Sequence, residues 1–381
     1  MPKDSVLGKR SRSRLSASPS KRQKTGKSSE RKSVAKSITA TSAKASTKKR
    51  DQKKKDGPSF LSGLRKHSVV VADTADFNLI AKHKPQDATT NPTLILQAVQ
   101  KPEYQKIVDK VVHDYVAKHK GKPDYNDMMA QVCVAFGTRI SKLIPGYVST
   151  EVDARLSFDT EGMVKCGRRI IELYKKNGVP KSRILIKVGA TWEGVRAAEQ
   201  LRREGINCNL TLIFSIWQAI LCANAGVRLI SPFVGRILDW YKKRDPDYKY
   251  PAGKHPGCEL VREIHEYYKT YGHKTIVMAA SLRLVDELAQ LAGCDRITIP
   301  VKTLDDAEAA SGKVKRVLLP NAKNSKLKKY DKLSEKDFRW NLFKDKMATD
   351  KLEEGIRSFA DGADELIAIL KQKVKKLRGK K

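Results

Sequence analysis

A lysine stands where a predicted buried strand ends. Lys187 closes the apolar run of residues 184–186 and opens a turn that begins with Val188. An ammonium group that loses hydration at a strand end shifts toward the neutral amine, and Schiff-base chemistry on a carbonyl compound requires that form. A lysine whose stem lies along the strand and whose charge stays in water is the structural alternative. This stretch alone does not decide between them.

Polar side chains also lie at the ends of the other predicted strands. They include two carboxylates together with hydroxyl, amide and guanidinium groups, a set that suits carbonyl chemistry on a polyol. These side chains are Asp73, Thr89, Asn91, Glu151, Asn209, Thr211, Ser231, Arg236, Ser281 and Arg283. Each has a structural alternative, since Asp73 could cap a helix and Glu151 could be a paired structural carboxylate.

The elements that must position these residues alternate between strand and helix patterns. After Pro58 we predict eight strands, at residues 69–72, 86–89, 147–151, 184–188, 208–212, 229–231, 275–278 and 296–299. Apolar residues at three- and four-residue spacing predict intervening helices, including 163–176, 191–204, 216–225, 259–271 and 284–291. Eight such pairs predict an α/β fold, a closed (β/α)8 barrel, in which the strand ends share one face. A long helix over 347–377 would cap one end of it.

An open, doubly wound sheet is the alternative fold. Its usual nucleotide-binding sign is a glycine-rich loop after the first strand. The first strand runs instead into Asp73 and Thr74, and neither GxGxxG nor GxxxxGK[ST] occurs at a strand-to-helix junction.

Other site classes lack their sequence signals. The six cysteines and seven histidines show no CxxC or HExxH spacing, so we expect unpaired thiols in a reducing compartment and no metal site. No apolar run approaches the roughly 20 residues needed to cross a bilayer, so we predict no membrane association.

About half of the net positive charge lies in the first sixth of the chain. The net charge is +35, and the 21 Lys and Arg against 4 Asp and Glu up to Lys66 contribute +17 of it. Residues 1–57 have almost no large apolar side chains, and we predict a disordered basic tail, followed by one barrel domain at 58–381 that includes the C-terminal helix. The clusters at 21–24, 48–50 and 53–55 are typical of nuclear-localisation signals, although a solvated basic arm is the alternative.

Several segments together resemble one enzyme family. They read VVADT at 70–74, PQDATTNP at 85–92, STEVDARLS at 149–157, ILIK at 184–187, CNLTL at 208–212 and ISPFVGRILDW at 230–240. FRW at 338–340 and GIR at 355–357 extend the match, which covers roughly residues 59–372. These segments resemble transaldolase in its long form, a Schiff-base aldolase that uses no cofactor.

The resemblance implies a reaction and a set of roles. A dihydroxyacetone unit would pass from sedoheptulose 7-phosphate to glyceraldehyde 3-phosphate, giving erythrose 4-phosphate and fructose 6-phosphate. Lys187 would form the Schiff base, Asp73 would take the C4 hydroxyl proton, and Glu151 with a water near Thr211 would move protons during imine formation and hydrolysis. The residues expected to hold the sugar are Thr89, Asn91, Asn209, Ser231 and Phe233, and those expected to hold the phosphate are Arg236, Ser281 and Arg283.

Some positions depart from the family pattern. In the turn after the seventh strand, Ala279, Leu282 and Leu284 replace the usual Gly, Phe and Asn. The change at Ala279 matters if the backbone there needs positive φ. Ile216-Trp217, Tyr147 and the run 188–190 also differ from the family. We therefore expect a differently shaped phosphate end and altered substrate affinity, with the catalytic atoms intact.

Two rival functions stay open at this point. One is a related barrel aldolase that releases free dihydroxyacetone instead of transferring it. The other is a nucleic-acid or chromatin protein that uses the barrel as a scaffold, for which we expect only weak, salt-sensitive binding because no aromatic residue precedes Phe60 for base stacking. We predict a cytoplasmic enzyme that is also nuclear, with a nuclear import receptor as a partner of residues 1–57. The sequence leaves the oligomeric state open, with a homodimer as one expectation.

Overall fold

Eight parallel strands form a closed barrel. The computed structural model describes residues 57–323, 326 and 328–379. The strands are β1 (Val69–Asp73), β2 (Asp87–Thr89), β3 (Val148–Glu151), β4 (Ile184–Gly189), β5 (Asn207–Ile213), β6 (Leu229–Pro232), β7 (Ile276–Ala279) and β8 (Arg296–Pro300). Each strand pairs with the next, and β8 pairs with β1 in the register Val69↔Arg296 to Asp73↔Pro300, which closes the sheet. The predicted fold class is confirmed, and every predicted strand is present within two residues of its predicted ends.

Helices surround the barrel. Those that precede or connect the strands are α1 (Phe60–Leu64), α2 (Phe77–His83), α3 (Pro92–Val99), α4 (Gln105–Lys118), α5 (Tyr125–Ser141), α6 (Thr160–Lys176), α7 (Trp192–Arg203), α8 (Ile216–Asn224), α9 (Gly235–Arg244), α10 (Pro256–Thr270) and α11 (Val285–Gln290). Three more follow β8: α12 (Val301–Ala309), α13 (Glu335–Lys344) and α14 (Lys346–Arg378). Their apolar faces and the outer faces of the strands form the main core.

An apolar layer fills the barrel below the strand ends. Val71, Leu185, Leu229 and Met278 come from four different strands and form one buried cluster. Since side chains alternate between the two faces of a strand, residues two positions later point into the same interior. This alternation places Asp73, two residues after Val71, and Lys187, two residues after Leu185, directly above this apolar layer.

The C-terminal helix packs closely against the carboxyl ends of the strands. α14 contacts α3, α4, α5 and α9 and the end of β5. Two of its glycines make this approach feasible, because a Cβ at Gly355 would lie 2.6 Å from a methyl carbon of Leu212 and one at Gly362 would lie 2.6 Å from Oγ1 of Thr93. The predicted capping helix is confirmed.

Three other predictions concern the basic tail, the cysteines and membrane-spanning helices. Apart from Gly57, the predicted basic tail and its three clusters lie outside the described residues, so the boundary at 57/58 stays a prediction. The six cysteines are unpaired thiols. Within 57–323, 326 and 328–379, no helix has the length and apolar content needed to cross a membrane.

Candidate active site

Lys187 and Glu151 form a buried ion pair at the carboxyl ends of neighbouring strands. The β3–β4 register pairs Glu151 with Lys187, so both side chains point to the same face. The Lys187 ammonium donates to Glu151 Oε2 at 3.0 Å and to the carbonyl oxygen of Thr90 at 3.3 Å. Lys187 is 4% exposed and Glu151 8% exposed. The amine therefore has a proton acceptor in direct contact and little water around it.

Asp73 is the second carboxylate of the site. The β1–β2 register pairs it with Thr89, whose hydroxyl donates to Asp73 Oδ1 at 2.8 Å and lies 2.9 Å from the hydroxyl of Thr298. Burial within the barrel raises the pKa of Asp73, and the charges of Lys187 and Arg236 and the Thr89 hydrogen bond oppose that rise. Asp73 is half-buried and lines the pocket in front of Lys187, so its carboxyl is partly desolvated yet can reach a ligand.

Glu151 experiences the same forces but faces a different space. Burial raises its pKa, the contact with Lys187 opposes the rise, and the negative charge of Asp73 adds to it. Its side chain lines a neighbouring cavity of about 830 Å³, together with Cys133 of α5 and Cys166 of α6. Asp73 thus lines the pocket in front of Lys187, and Glu151 lines the cavity on its other side.

The pocket in front of Lys187 has a volume of about 300 Å³. It brings together ten of the twelve predicted site residues, namely Asp73, Thr89, Asn91, Lys187, Thr211, Ser231, Phe233, Arg236, Ser281 and Arg283. The remaining two, Glu151 and Asn209, lie behind its wall. Within the described residues, no group of three or more His, Cys, Asp and Glu side chains is arranged to hold a metal ion.

Asn209 supports the pocket from behind. It is completely buried, donates to the hydroxyl of Ser149 at 3.2 Å and accepts a hydrogen bond from the hydroxyl of Ser231 at 2.7 Å. Ser231 itself lines the pocket. The structure therefore places Asn209, which we predicted to touch the sugar, one step behind a hydroxyl that does reach the pocket. Asn91 lines the pocket while its Oδ1 caps α3 by accepting from the Leu94 N–H at 2.8 Å.

Thr211 provides a free hydroxyl at the pocket wall. The residue is completely buried, and its Oγ1 has no hydrogen-bond partner among the described residues. A buried hydroxyl without a partner is costly unless a ligand or a water satisfies it. The water near Thr211 stays a prediction.

Two arginines and a serine form the outer end of the pocket. The Arg236 guanidinium carbon lies 5.1 Å from the ring centre of Phe233 and 5.4 Å from that of Phe359, and burial lowers the pKa of this arginine. The Arg283 guanidinium is exposed and donates to Asp239 at 2.7 Å. Guanidinium groups can bind a phosphate through paired hydrogen bonds, so this end suits an anion.

Three of the departures from the family pattern, Ala279, Leu282 and Leu284, lie near this outer end of the pocket. Ala279 is the last residue of β7 and does not have positive φ, whereas Ser281 does, with φ 59°. The backbone at Ala279 therefore does not need a glycine. The residue with positive φ is Ser281, which we predicted to bind the phosphate. Leu282 is completely buried and Leu284 is half exposed at the start of α11.

The remaining departures lie away from the pocket. Tyr147 faces Arg296 with the guanidinium carbon 5.4 Å from its ring centre, at the opposite end of the barrel. Trp217, at the start of α8, packs edge to face against Tyr330. Neither residue lines the pocket.

Sequence reasoning missed three kinds of pocket residue. Phe359 of α14 lies with its ring centre 5.2 Å from the Lys187 amine, and its apolar helical spacing signals burial but not its neighbour. Thr298 of β8 could have been found, because alternation from the strand end places it inside the barrel. Lys302 and Thr303, which follow that strand at the start of α12, complete the wall.

Comparison with known protein families shows the family of this chain. The model of a family described as Transaldolase/Fructose-6-phosphate aldolase matches residues 70–370. Among solved structures, one described as a glycerophosphoryl diester phosphodiesterase from Silicibacter pomeroyi DSS-3 is 15% identical over 48% of this chain, with a TM-score of 0.29. The matched region spans 57% of that protein's length. A likeness that weak carries no weight for the site.

Proposed function

This chain belongs to the transaldolase/fructose-6-phosphate aldolase family, and from that premise we propose that it is a transaldolase of the non-oxidative pentose phosphate pathway. It transfers a dihydroxyacetone unit from sedoheptulose 7-phosphate to glyceraldehyde 3-phosphate, giving erythrose 4-phosphate and fructose 6-phosphate. The observation that carries the proposal is the 3.0 Å contact between Lys187 and Glu151, with Asp73 on the pocket side.

The first step is imine formation at Lys187. Lys187 gives a proton to Glu151, whose pKa burial raises, and the neutral amine attacks the C2 carbonyl of the donor. Glu151 then returns this proton to the carbinolamine hydroxyl, which leaves as water and gives the protonated Schiff base. Thr211, whose buried hydroxyl has no partner among the described residues, holds the departing water.

The second step breaks and remakes a carbon–carbon bond. Asp73 takes the proton of the donor's C4 hydroxyl, the C3–C4 bond breaks, and its electron pair moves to the imine nitrogen to give an enamine. The aldehyde product leaves, and the enamine carbon attacks the carbonyl of the acceptor aldehyde. Asp73 returns the proton to the new hydroxyl, and water then hydrolyses the imine and frees Lys187. The phosphate of each substrate lies at Arg236, Ser281 and Arg283.

The competing activity is release of free dihydroxyacetone, as in a fructose-6-phosphate aldolase. That outcome requires protonation of the enamine and hydrolysis before an acceptor arrives. Phe233 and Phe359 line the pocket beside Arg236, and Phe359 also lies 5.2 Å from Lys187. Apolar rings beside the enamine limit water access and favour transfer.

Acceptor dependence separates the two activities. We expect fructose 6-phosphate alone to give a single burst of glyceraldehyde 3-phosphate, equal to the enzyme concentration, and continuous turnover only after erythrose 4-phosphate is added. A Lys187→Met variant is the control and gives neither. Continuous production of dihydroxyacetone without an acceptor would show that the protein is an aldolase.

The basic tail carries a separate proposal on location. We propose that residues 1–57 direct part of the protein to the nucleus through an import receptor that binds the Lys/Arg clusters. Fluorescent fusions with and without residues 1–57 test this, and equal distribution of the two refutes it. Weak nucleic-acid binding would instead appear as retention of the protein on immobilised DNA. That retention would decrease steeply with salt and disappear when residues 1–57 are deleted. The homodimer stays a prediction.

A further inference from the structure

A buried carboxylate outside the pocket holds the loop that carries Arg283. Glu287, in α11, is 1% exposed. Its Oε2 accepts the main-chain N–H of Arg283 at 2.6 Å and that of Leu284 at 3.1 Å. Hydrogen bonds to an ionised acceptor are the stronger kind. The backbone that presents Arg283 to the pocket is therefore fixed from behind.

The second oxygen of Glu287 faces a buried histidine. His255 is completely buried, and its Nε2 lies 3.1 Å from Glu287 Oε1, although off the line of a straight hydrogen bond. Its Nδ1 accepts the N–H groups of Gly257 and Cys258 at 3.1 and 3.4 Å, where it caps α10. Since Nδ1 is an acceptor, Nε2 carries the ring proton and points its positive end toward the carboxylate. His255 thus places the positive edge of its ring beside the buried Glu287 carboxyl group.

The segments around His255 and Glu287 also contact the segment that leads into Arg236, the other arginine of the pocket. The N–H groups of Val234 and Gly235 donate to the carbonyl oxygens of Ala280 and Ser281 at 2.8 and 2.9 Å, which ties the segment leading into Arg236 to the loop around Arg283. The start of α10 packs onto this segment so tightly that a Cβ at Gly257 would lie 2.2 Å from the Val234 carbonyl oxygen. His255 and Glu287 are therefore attached to both guanidinium-bearing segments.

Ser281 shows why such support is needed. The backbone of Ser281, at φ 59°, is in the left-handed region. Residues other than glycine rarely adopt this conformation unless their surroundings hold them in it. The loop is held on both sides of this residue: the carbonyl oxygens of Ala280 and Ser281 accept main-chain N–H groups of Val234 and Gly235, and Glu287 accepts the N–H of Arg283. A glutamate that only capped α11 would not require a buried histidine beside its second carboxyl oxygen.

We propose that His255 and Glu287 are positioning residues for phosphate recognition. By holding the loop of residues 280–284, they place Ser281 and Arg283 where the substrate phosphate binds, and they touch no substrate themselves. The inference rests on the proposed function, in which that end of the pocket holds the phosphate.

The test compares a phosphorylated with an unphosphorylated ketone. Two variants of the full-length chain separate the pair from its other roles: His255→Asn keeps an acceptor for capping α10 but lacks the distant Nε2, and Glu287→Gln keeps an oxygen for the loop but lacks the charge. The readout is the concentration of ketone that half-saturates cyanoborohydride trapping at Lys187, with fructose 6-phosphate and with dihydroxyacetone. His265→Asn is the matched control, because His265 is about equally buried and lies in α10, the helix that His255 caps.

We expect a split between the two ketones. The half-saturating concentration of fructose 6-phosphate should rise about tenfold in both variants, the factor for losing one hydrogen bond to a charged group. That for dihydroxyacetone should change by less than about twofold in both variants and in His265→Asn, since none of these residues touches the ketone end.

The outcomes distinguish the two proposals. If the wild-type protein is not trapped at Lys187 by either ketone, the proposed function fails. If wild-type trapping occurs but the variants bind both ketones unchanged, or lose both in parallel, the positioning role is refuted. Should His255→Asn fail to fold, Glu287→Gln decides alone, together with the rise in Tm on adding inorganic phosphate, which we expect to be smaller than in wild type. An unchanged phosphate-dependent rise contradicts the inference.

Discussion

Phe359 tests whether the C-terminal helix belongs to the active site. The residue is 2% exposed, and its ring centre lies 5.2 Å from the Lys187 amine and 5.4 Å from the Arg236 guanidinium carbon. Phe359→Leu keeps an apolar residue of similar reach but removes the ring. A cation over a desolvated ring contributes about 0.5–2 kcal/mol. Loss of the ring should therefore lower kcat/KM for fructose 6-phosphate with erythrose 4-phosphate by roughly 2- to 30-fold.

The stability cost needs a control, because any buried phenylalanine stabilises the fold. Phe338 of α13 is 1% exposed, packs on Trp192 and does not line the pocket. Each Phe→Leu change should destabilise the protein by about 1–2 kcal/mol, less than truncation to alanine because leucine refills part of the space. Thermal unfolding should show similar decreases in Tm, while only Phe359→Leu lowers kcat/KM. Equal kcat/KM in the two variants would refute a role for α14 in the site.

A pH dependence and three substitutions test the assigned proton transfers and the phosphate end. Because burial raises the pKa of Asp73 and of Glu151, and both must be ionised to accept protons, kcat/KM should fall with decreasing pH at values above the ordinary carboxyl range; an acid limb within that range contradicts this. Asp73→Asn should abolish turnover yet leave borohydride trapping intact, and loss of trapping would misplace its role. Thr211→Val should leave the free energy of unfolding in urea unchanged or about 1 kcal/mol higher while slowing turnover by about 100-fold; turnover at the wild-type rate would exclude a function for the free hydroxyl. Arg236→Lys should raise KM for phosphorylated donors about tenfold and leave dihydroxyacetone trapping unchanged, because an ammonium cannot replace a paired guanidinium contact; an equal effect on both would argue against phosphate binding.

The barrel could be predicted because its strands are buried on both faces. Such strands read as short apolar runs, and turn residues separate them from helical patterns. Asp73, Lys187 and Thr211 could then be found, since the carboxyl ends of all eight strands converge on one face. That rule places a residue at the site but not on a particular side of it. It did not show that Glu151 and Asn209 lie behind the pocket wall.

Long-range pairings could not be predicted. An apolar residue at helical spacing shows that one face of α14 is buried, but not that Phe359 faces Lys187. Nothing in the serine at 281 signals a left-handed backbone, because the cause is the support from Val234, Gly235 and Glu287. The contact of His255 with Glu287 joins two helices whose sequences each look complete without it.

Trapping at Lys187 tests the central claim most directly. Fructose 6-phosphate with borohydride and no acceptor should inactivate the enzyme and add a reduced three-carbon unit to the peptide that contains Lys187, as read by mass spectrometry. Lys187→Met should gain no such mass. Labelling of another lysine, or full activity with no added mass on that peptide, would contradict the assignment of Lys187 as the Schiff-base residue.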